Sequence, residues 1–193
     1  GSINANLSII VSHVYAGNES VGVSWLPLYP DMGLNLMVLG PLYAGRPAHL
    51  MSPSDFLRRP DRWLDLVSRV RGTVTAAPDF AYRLCRDRVS EEMKKSLDLS
   101  SVRMMINGSE PIRLDSMTSF YDAFSGCGLK RSAMIGGYGM AELGVYASTG
   151  PLLLAPLAFD LVALESERKV VACSPSIAGS RQIASCGKME SAS

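Results

Sequence analysis

Ser132-Ala133-Met134-Ile135-Gly136-Gly137-Tyr138-Gly139-Met140-Ala141-Glu142 reads as a short apolar strand that runs into three glycines around one tyrosine and ends on a carboxylate. Glycine lets backbone approach a ligand that a Cβ would hold off. The tyrosine ring is a flat surface on which another flat ring can lie. A carboxylate just beyond suits a hard cation such as Mg²⁺. A strand, a glycine turn and a helix start place a ligand at the carboxyl edge of a parallel sheet. On these residues alone a second reading stands beside it: a plain tight turn between strand and helix, with Glu142 exposed in a first helical turn whose dipole favours an acid.

The same alternation extends upstream. Val102-Arg103-Met104-Met105-Ile106 is a strand, and Asn107-Gly108-Ser109-Glu110-Pro111 is the turn after it. Leu114, Met117, Phe120, Tyr121 and Phe124 recur at helical spacing until Gly126 and Gly128 stop them. Before that, Thr73-Val74-Thr75-Ala76 is a strand closed by Pro78, and a helix opens at Asp79. The charged segment 86–95 reads as a solvated face. Ser52-Pro53-Ser54-Asp55 has a helix-capping pattern, and Pro60 divides the helix after it. Val21-Gly22-Val23-Ser24-Trp25-Leu26 and Ala48-His49-Leu50-Met51 are two more strands. Between them lies a helix apolar nearly all round, so expected to be buried, with Asp31 as its cap. Leu7, Ile10, Val11 and Val14 mark a first helix. Strands alternating with helices five times predict an α/β protein with a largely parallel sheet covered by helices. After Ser148 the pattern is lost. Residues 1–150 read as one α/β body, 151–187 as an extended excursion with little helix, and 188–193 as a frayed tail.

A chain of 193 residues with 47% hydrophobic and 19% charged residues holds one domain with a real core. A net charge of +1, without basic clusters, gives no footprint for nucleic acid or a membrane surface. The longest apolar run, residues 150–158, is too short to span a bilayer. Nothing resembles a signal peptide, and Gly1-Ser2 matches a protease scar. Cys85, Cys127, Cys173 and Cys186 form no C-x-x-C pair, and only two histidines are present, which argues against a zinc site. Reduced thiols and a cytoplasmic setting are the expectation. His13, His49, Trp25 and Trp63 read as structural.

In a parallel sheet the carboxyl ends of the strands share one edge, so four turns converge there: residues 25–34, 76–82, 107–111 and 137–142. That edge offers small residues, one aromatic face, polar groups, and an apolar lining from Phe80, Met32 and Leu34. It suits a flat polar nucleotide beside a greasy tail.

At this point the chain resembles the adenylate-forming enzymes, most closely the fatty acyl-AMP ligases. Residues 24–34 resemble that family's S-W-L-P-L-Y-H-D-M-G-L, and Pro78-Asp79-Phe80-Ala81-Tyr82 its G-P-N-F-A-Y. Leu97-Asp98-Leu99-Ser100-Ser101 followed by Asn107-Gly108-Ser109-Glu110-Pro111 is similar to L-D-L-S-S followed by N-G-A-E-P, and residues 138–142 to Y-G-L-A-E. The order and spacing of these pieces make the resemblance specific. It implies activation of a fatty acid with ATP and Mg²⁺ to an acyl-adenylate, passed to an acyl carrier protein or polyketide synthase. It also implies roles. Asn107, Gly108, Ser109, Glu110, Pro111, Gly137, Tyr138, Gly139, Met140 and Ala141 would form the nucleotide site, with Tyr138 stacked on the base. Glu142 would be the catalytic carboxylate on Mg²⁺. Met32, Leu34, Asp79 and Phe80 would edge the acyl channel. Phe159-Asp160 with Leu164-Glu165, and Ile183-Ala184-Ser185-Cys186-Gly187, resemble the insertion that separates acyl-AMP ligases from acyl-CoA ligases, the alternative branch.

Two departures bear on activity. Pro30 stands where the motif has His, and proline supplies neither a side-chain donor nor a charge. A catalytically silent binding relative is therefore the other reading. The family's phosphate loop, expected before Ile3, and its C-terminal lobe with a lysine, expected after Gly187, are not in this sequence, so the chain by itself is expected not to adenylate.

Overall fold

The computed structural model describes residues 2–29, 31–143, 145–153 and 157–188. The protein is α/β, with a largely parallel sheet flanked by helices. Strand β1 (Gly22–Ser24) pairs on one side with β2 (Ala48–Leu50) and on the other with β3 (Val74–Ala77). β4 (Met104–Asn107) and β5 (Met134–Tyr138) continue the parallel array, and β6 (Ser148–Pro151) closes it antiparallel to β5. The connecting helices are α1 (Ser2–His13), α2 (Gly40–Tyr43), α3 (Pro53–Arg58), α4 (Asp61–Arg69), α5 (Asp79–Arg88), α6 (Glu91–Ser96) and α7 (Leu114–Phe124).

Local chemistry explains most of these boundaries. The Ser52 hydroxyl accepts the Ser54 N–H and Pro53 takes the first helical position, so α3 starts there. Pro60 separates α3 from α4. Gly128, at φ +85°, turns the chain out of the short 3₁₀ segment after α7, a conformation cheap only for glycine. The core joins these elements through aromatic contacts. Trp63 meets Tyr82 edge to face at 5.9 Å, and Tyr82 meets Phe120 at 5.1 Å. Two polar tips inside the core are satisfied: Trp63 Nε1 donates to Thr75 Oγ1 at 2.9 Å, and the Tyr82 hydroxyl donates to the Ile106 carbonyl at 2.7 Å.

Four sequence expectations are corrected or refined. First, the strand of the opening stretch does not stop at Ile135. It runs through both glycines to Tyr138, because their missing side chains let neighbours in. A Cβ at Gly136 would sit 2.7 Å from Leu152 Cδ2, and one at Gly137 would sit 2.8 Å from Ile106 Cγ2. After Tyr138 the chain makes one 3₁₀ turn, Ala141–Leu143, and then enters antiparallel β6, not a crossover helix. Second, residues 32–39 form a π-helix, closed by the Gly40 N–H donating to the Asn35 carbonyl. Asp31 gives it no side-chain cap, and Leu34 and Leu42 are exposed. Third, the charged segment is mostly a solvated face, as expected, but a helix cap orders it and a ring contact ties it to the body. Ser90 caps α6 on the Met93 N–H, and Lys94 lies over the Phe124 ring at 5.2 Å. Fourth, the excursion is ordered into β7 (Leu157–Asp160), α8 (Leu161–Ser166) and β8 (Ser180–Ile183), with Asp160 Oδ1 accepting the Val162 and Ala163 N–H groups. Its return is pressed onto the main sheet: a Cβ on Gly150 would meet Gly187 Cα at 2.6 Å. Of the expected tail, residues 189–193 lie outside the described residues, as do residues 154–156 of the apolar run. Among the described residues no helix is long and apolar enough to cross a membrane.

Candidate functional site

The carboxyl ends of β1, β3, β4 and β5 open onto one cavity of about 560 Å³. Each of the four turns contributes: Trp25 and Met32 after β1, Pro78 and Phe80 after β3, Gly108 and Ser109 after β4, Tyr138 to Met140 at and after β5. The volume is that of an ordinary small-molecule site. Most of the wall is apolar, completed by Leu36, Ile106, Val145 and Tyr146.

Packing sets this wall from behind. Trp25 lies flat on Phe56, with centroids 3.8 Å apart, and its edge meets Phe80 at 6.0 Å. Read from sequence as packing alone, Trp25 both packs and lines the cavity. Its indole N–H is buried without a hydrogen-bond partner among the described residues. The loop after β5 closes on itself, the Ala147 N–H donating to the Tyr138 carbonyl and the Val145 N–H to the Met140 carbonyl, both at 3.0 Å. Gly139 is obligatory there, since a Cβ would land 1.4 Å from the Val145 oxygen. Asn6 of α1 holds the same loop through two hydrogen bonds with the Tyr146 backbone.

A second cleft, about 570 Å³, lies across Tyr138. The two spaces share Ser109, Gly137, Tyr138 and Gly139. Tyr138, 52% exposed, is therefore a partition between them and not a core residue. Glu110, Pro111 and Ile112 from the turn after β4 line the cleft together with Leu164 of α8, Arg181, Gln182 and Ile183 of β8, and then Ala184 and Cys186. Glu110 Oε1 accepts the Phe80 N–H at 2.7 Å, so the carboxylate also caps the start of α5. Ser109 sits at φ +69°, an uncommon conformation for a residue with a Cβ, and its hydroxyl points to Met32 Sδ at 3.4 Å.

Not every residue named from sequence reaches these spaces. Asp79 is 1% exposed and turned away from the cavity that Phe80 lines. Its Oδ1 accepts from Asn107 Nδ2 and from the Arg113 N–H, each at 3.0 Å, and Oδ2 lies 3.6 Å from the Arg83 guanidinium. Asp79 and Asn107 thus brace the turns from inside instead of lining a channel. Leu34, Ala141 and Glu142 line neither space. Glu142 is exposed, and among the described residues no cluster of three or more His, Cys, Asp or Glu side chains exists to hold a metal. Pro30 lies outside the described residues.

Sequence reasoning missed the β6 residues Ser148 and Thr149 and the excursion residues that line the second cleft. Ser148-Thr149-Gly150-Pro151 carries no alternating apolar pattern, and Arg181 is more than forty residues from Tyr138. Only pairing across the sheet brings them together.

Comparison with known proteins identifies the family and agrees with the fold. The model of the AMP-binding enzyme family matches residues 1–177. A medium-chain-fatty-acid–[acyl-carrier-protein] ligase from Teredinibacter turnerae is 40% identical over 164 residues, 85% of this chain and 26% of that protein. The crystal structure of a fatty acid AMP ligase from Legionella pneumophila superposes with a TM-score of 0.91 at 33% identity, over 97% of this chain and 33% of that one. A fatty acyl-adenylate ligase from L. pneumophila, in complex with acyl adenylate and pyrophosphate, gives 0.90 at 33% identity, over the same shares of the two chains. The chain thus spans between a quarter and a third of the length of these relatives.

Proposed function

The chain belongs to the AMP-binding enzyme family, and on that premise we propose that it is the acyl- and adenylate-binding part of a fatty acid–AMP ligase. One observation carries the reading: an apolar cavity and a more polar cleft meet at a single exposed tyrosine ring bordered by glycine backbone. A ligand with an aliphatic tail and a flat nucleotide head fits across that partition. The tail lies against Met32, Phe80 and Trp25, and the adenine lies on Tyr138 beside Glu110 and Pro111. Backbone at Gly137 and Gly139 borders the joint between them.

The reaction proposed for the parent protein is attack of a fatty acid carboxylate on the α-phosphate of ATP, with departure of pyrophosphate. The acyl group then passes to a carrier-protein thiol, of an acyl carrier protein or a polyketide synthase, and AMP leaves. This chain's part is to hold the tail and the base in line and to keep water from the tail. Mg²⁺ usually takes one or two protein carboxylates and completes its shell with phosphates and water, and Glu142, exposed after β5 beside the two spaces, would be this chain's donor. Bound there, the ion would spread the phosphate charge. Residues 1–150 are proposed as the binding body and 151–187 as the family's insertion, in a cytoplasmic protein.

Calorimetry with dodecanoyl-sulfamoyl-adenosine tests the reading. Micromolar binding by the wild-type chain, weakened about 5- to 100-fold in Tyr138→Ala as expected for base–aromatic stacking, supports it. Wild-type binding that Tyr138→Ala leaves unchanged, or no binding at all, removes it. Pro30 favours one other reading, a relative that binds the same ligand without turnover. Pro30→His in the full-length parent separates the two: adenylate formation gained over an inactive parent supports a lost histidine, and an already active parent rules silence out.

A further inference from the structure

We propose that Arg181 of the excursion reads the purine base in the cleft that Tyr138 borders, so that the excursion is part of the nucleotide site. The inference rests on the nucleotide reading of the second cleft. Three observations lead to it. The cleft has two charged side chains in its lining, Glu110 from the turn after β4 and Arg181 from β8. They do not pair with each other: Glu110 Oε1 is engaged by the Phe80 N–H, and Arg181 makes no ion pair or side-chain hydrogen bond among the described residues. The excursion is fastened where it matters. β8 is paired with β7, Phe159 opposite Arg181. Just beyond it the chain is clamped on β5 and β6, where a Cβ on Gly136 would meet the Ser185 oxygen at 3.1 Å and one on Gly187 the Thr149 oxygen at 2.1 Å.

A carboxylate with its second oxygen to spare and an unpaired donor fork lining the same cleft ask for a planar ligand that presents both a donor and acceptors. An adenine base does so, with an exocyclic amine to donate and ring nitrogens to accept. Guanidinium donors form charge-assisted hydrogen bonds and do not lose their proton, so the contact persists across the working pH range. Lysine, a single point charge, would reproduce it only in part.

The test is calorimetric, with the 193-residue chain and its Arg181→Ala and Arg181→Lys variants, using AMP, dodecanoyl-sulfamoyl-adenosine and dodecanoic acid as separate probes. Arg181 is exposed, so unfolding midpoints should agree across the three proteins. The expected result is a Kd about tenfold higher in Arg181→Ala for both adenosine probes, partly recovered in Arg181→Lys, with dodecanoic acid unaffected. Adenosine-probe affinities of Arg181→Ala within twofold of wild type overturn this inference and leave the nucleotide reading standing. A wild-type chain that binds neither adenosine probe overturns both. Equal losses for dodecanoic acid and AMP also overturn it, since they mean that Arg181 supports the whole site and does not read the base.

Discussion

Removing the Asp79 carboxylate should cost more stability than any exposed charge in this protein. The side chain is buried at the start of α5, where it accepts from Asn107 Nδ2 at the end of β4 and from the Arg113 N–H at the start of α7. In Asp79→Ala both donors lose their acceptor inside the protein, at about 1–3 kcal/mol each. The acid's interaction with the helix N-terminus adds about 0.5 kcal/mol. The Arg83 pair adds less than about 1 kcal/mol, because that guanidinium is 40% exposed. The sum is about 3–7 kcal/mol, and with a urea slope of about 2 kcal/mol/M the midpoint falls by about 1.5–3.5 M. Asp79→Asn keeps the shape and one oxygen for the two donors, so about 1–2 kcal/mol is expected. Trp25 and Trp63, both buried, report the transition by fluorescence. A loss under about 1 kcal/mol in Asp79→Ala, or equal losses in the two variants, would refute the bracing role.

Three further outcomes are expected. Gly139→Ala should weaken dodecanoyl-sulfamoyl-adenosine binding more than tenfold, because its Cβ cannot coexist with the Val145 oxygen; Gly126→Ala, with open space around it, should not, and equal binding by both variants contradicts the loop geometry. Burial pushes the Cys85 thiol far up, with the Asp61 charge adding to it, so Ellman's reagent should label the partly exposed Cys173 in the native protein and Cys85 only on unfolding; matching rates would show that the core opens there. Hydrogen bonding from the Arg59 guanidinium holds the Asp61 carboxyl below the usual carboxylate range. Its stabilisation is complete above the unfolded value near about pH 4 and disappears as pH falls through the depressed native value. Asp61→Asn should therefore be about 0.5–1 kcal/mol less stable at about pH 7 and nearly equal to wild type in strong acid, and a difference independent of pH would reject the assignment.

The legible part of the fold was the part governed by local rules. Period-2 and helical patterns, with Pro53, Pro60 and Gly128 as punctuation, mark where β1 to β5 and their helices lie. The π-helix at Met32–Leu39 left no trace, because its hydrogen-bond shift of one residue does not alter which residue types are apolar. The strand through Gly136 and Gly137 was misread as a turn, because glycine signals either chain reversal or close approach. Leu152 and Ile106, distant in sequence, decide for close approach.

For the site, the amino-acid sequence by itself determined the alternation of elements, hence the parallel sheet, and the four turns that such a sheet must gather on one edge. Tertiary structure alone decided which side chains of those turns face the ligand space. Asp79 and Phe80 are adjacent, yet one is buried among donors and the other lines the cavity, because consecutive helix residues point about 100° apart and only the packing of α5 on α7 selects between them. The same holds for Arg181, which local sequence cannot join to Tyr138. The pairing of β8 with β7 and the glycine-to-glycine approach at Gly150 and Gly187 bring it to the same cleft.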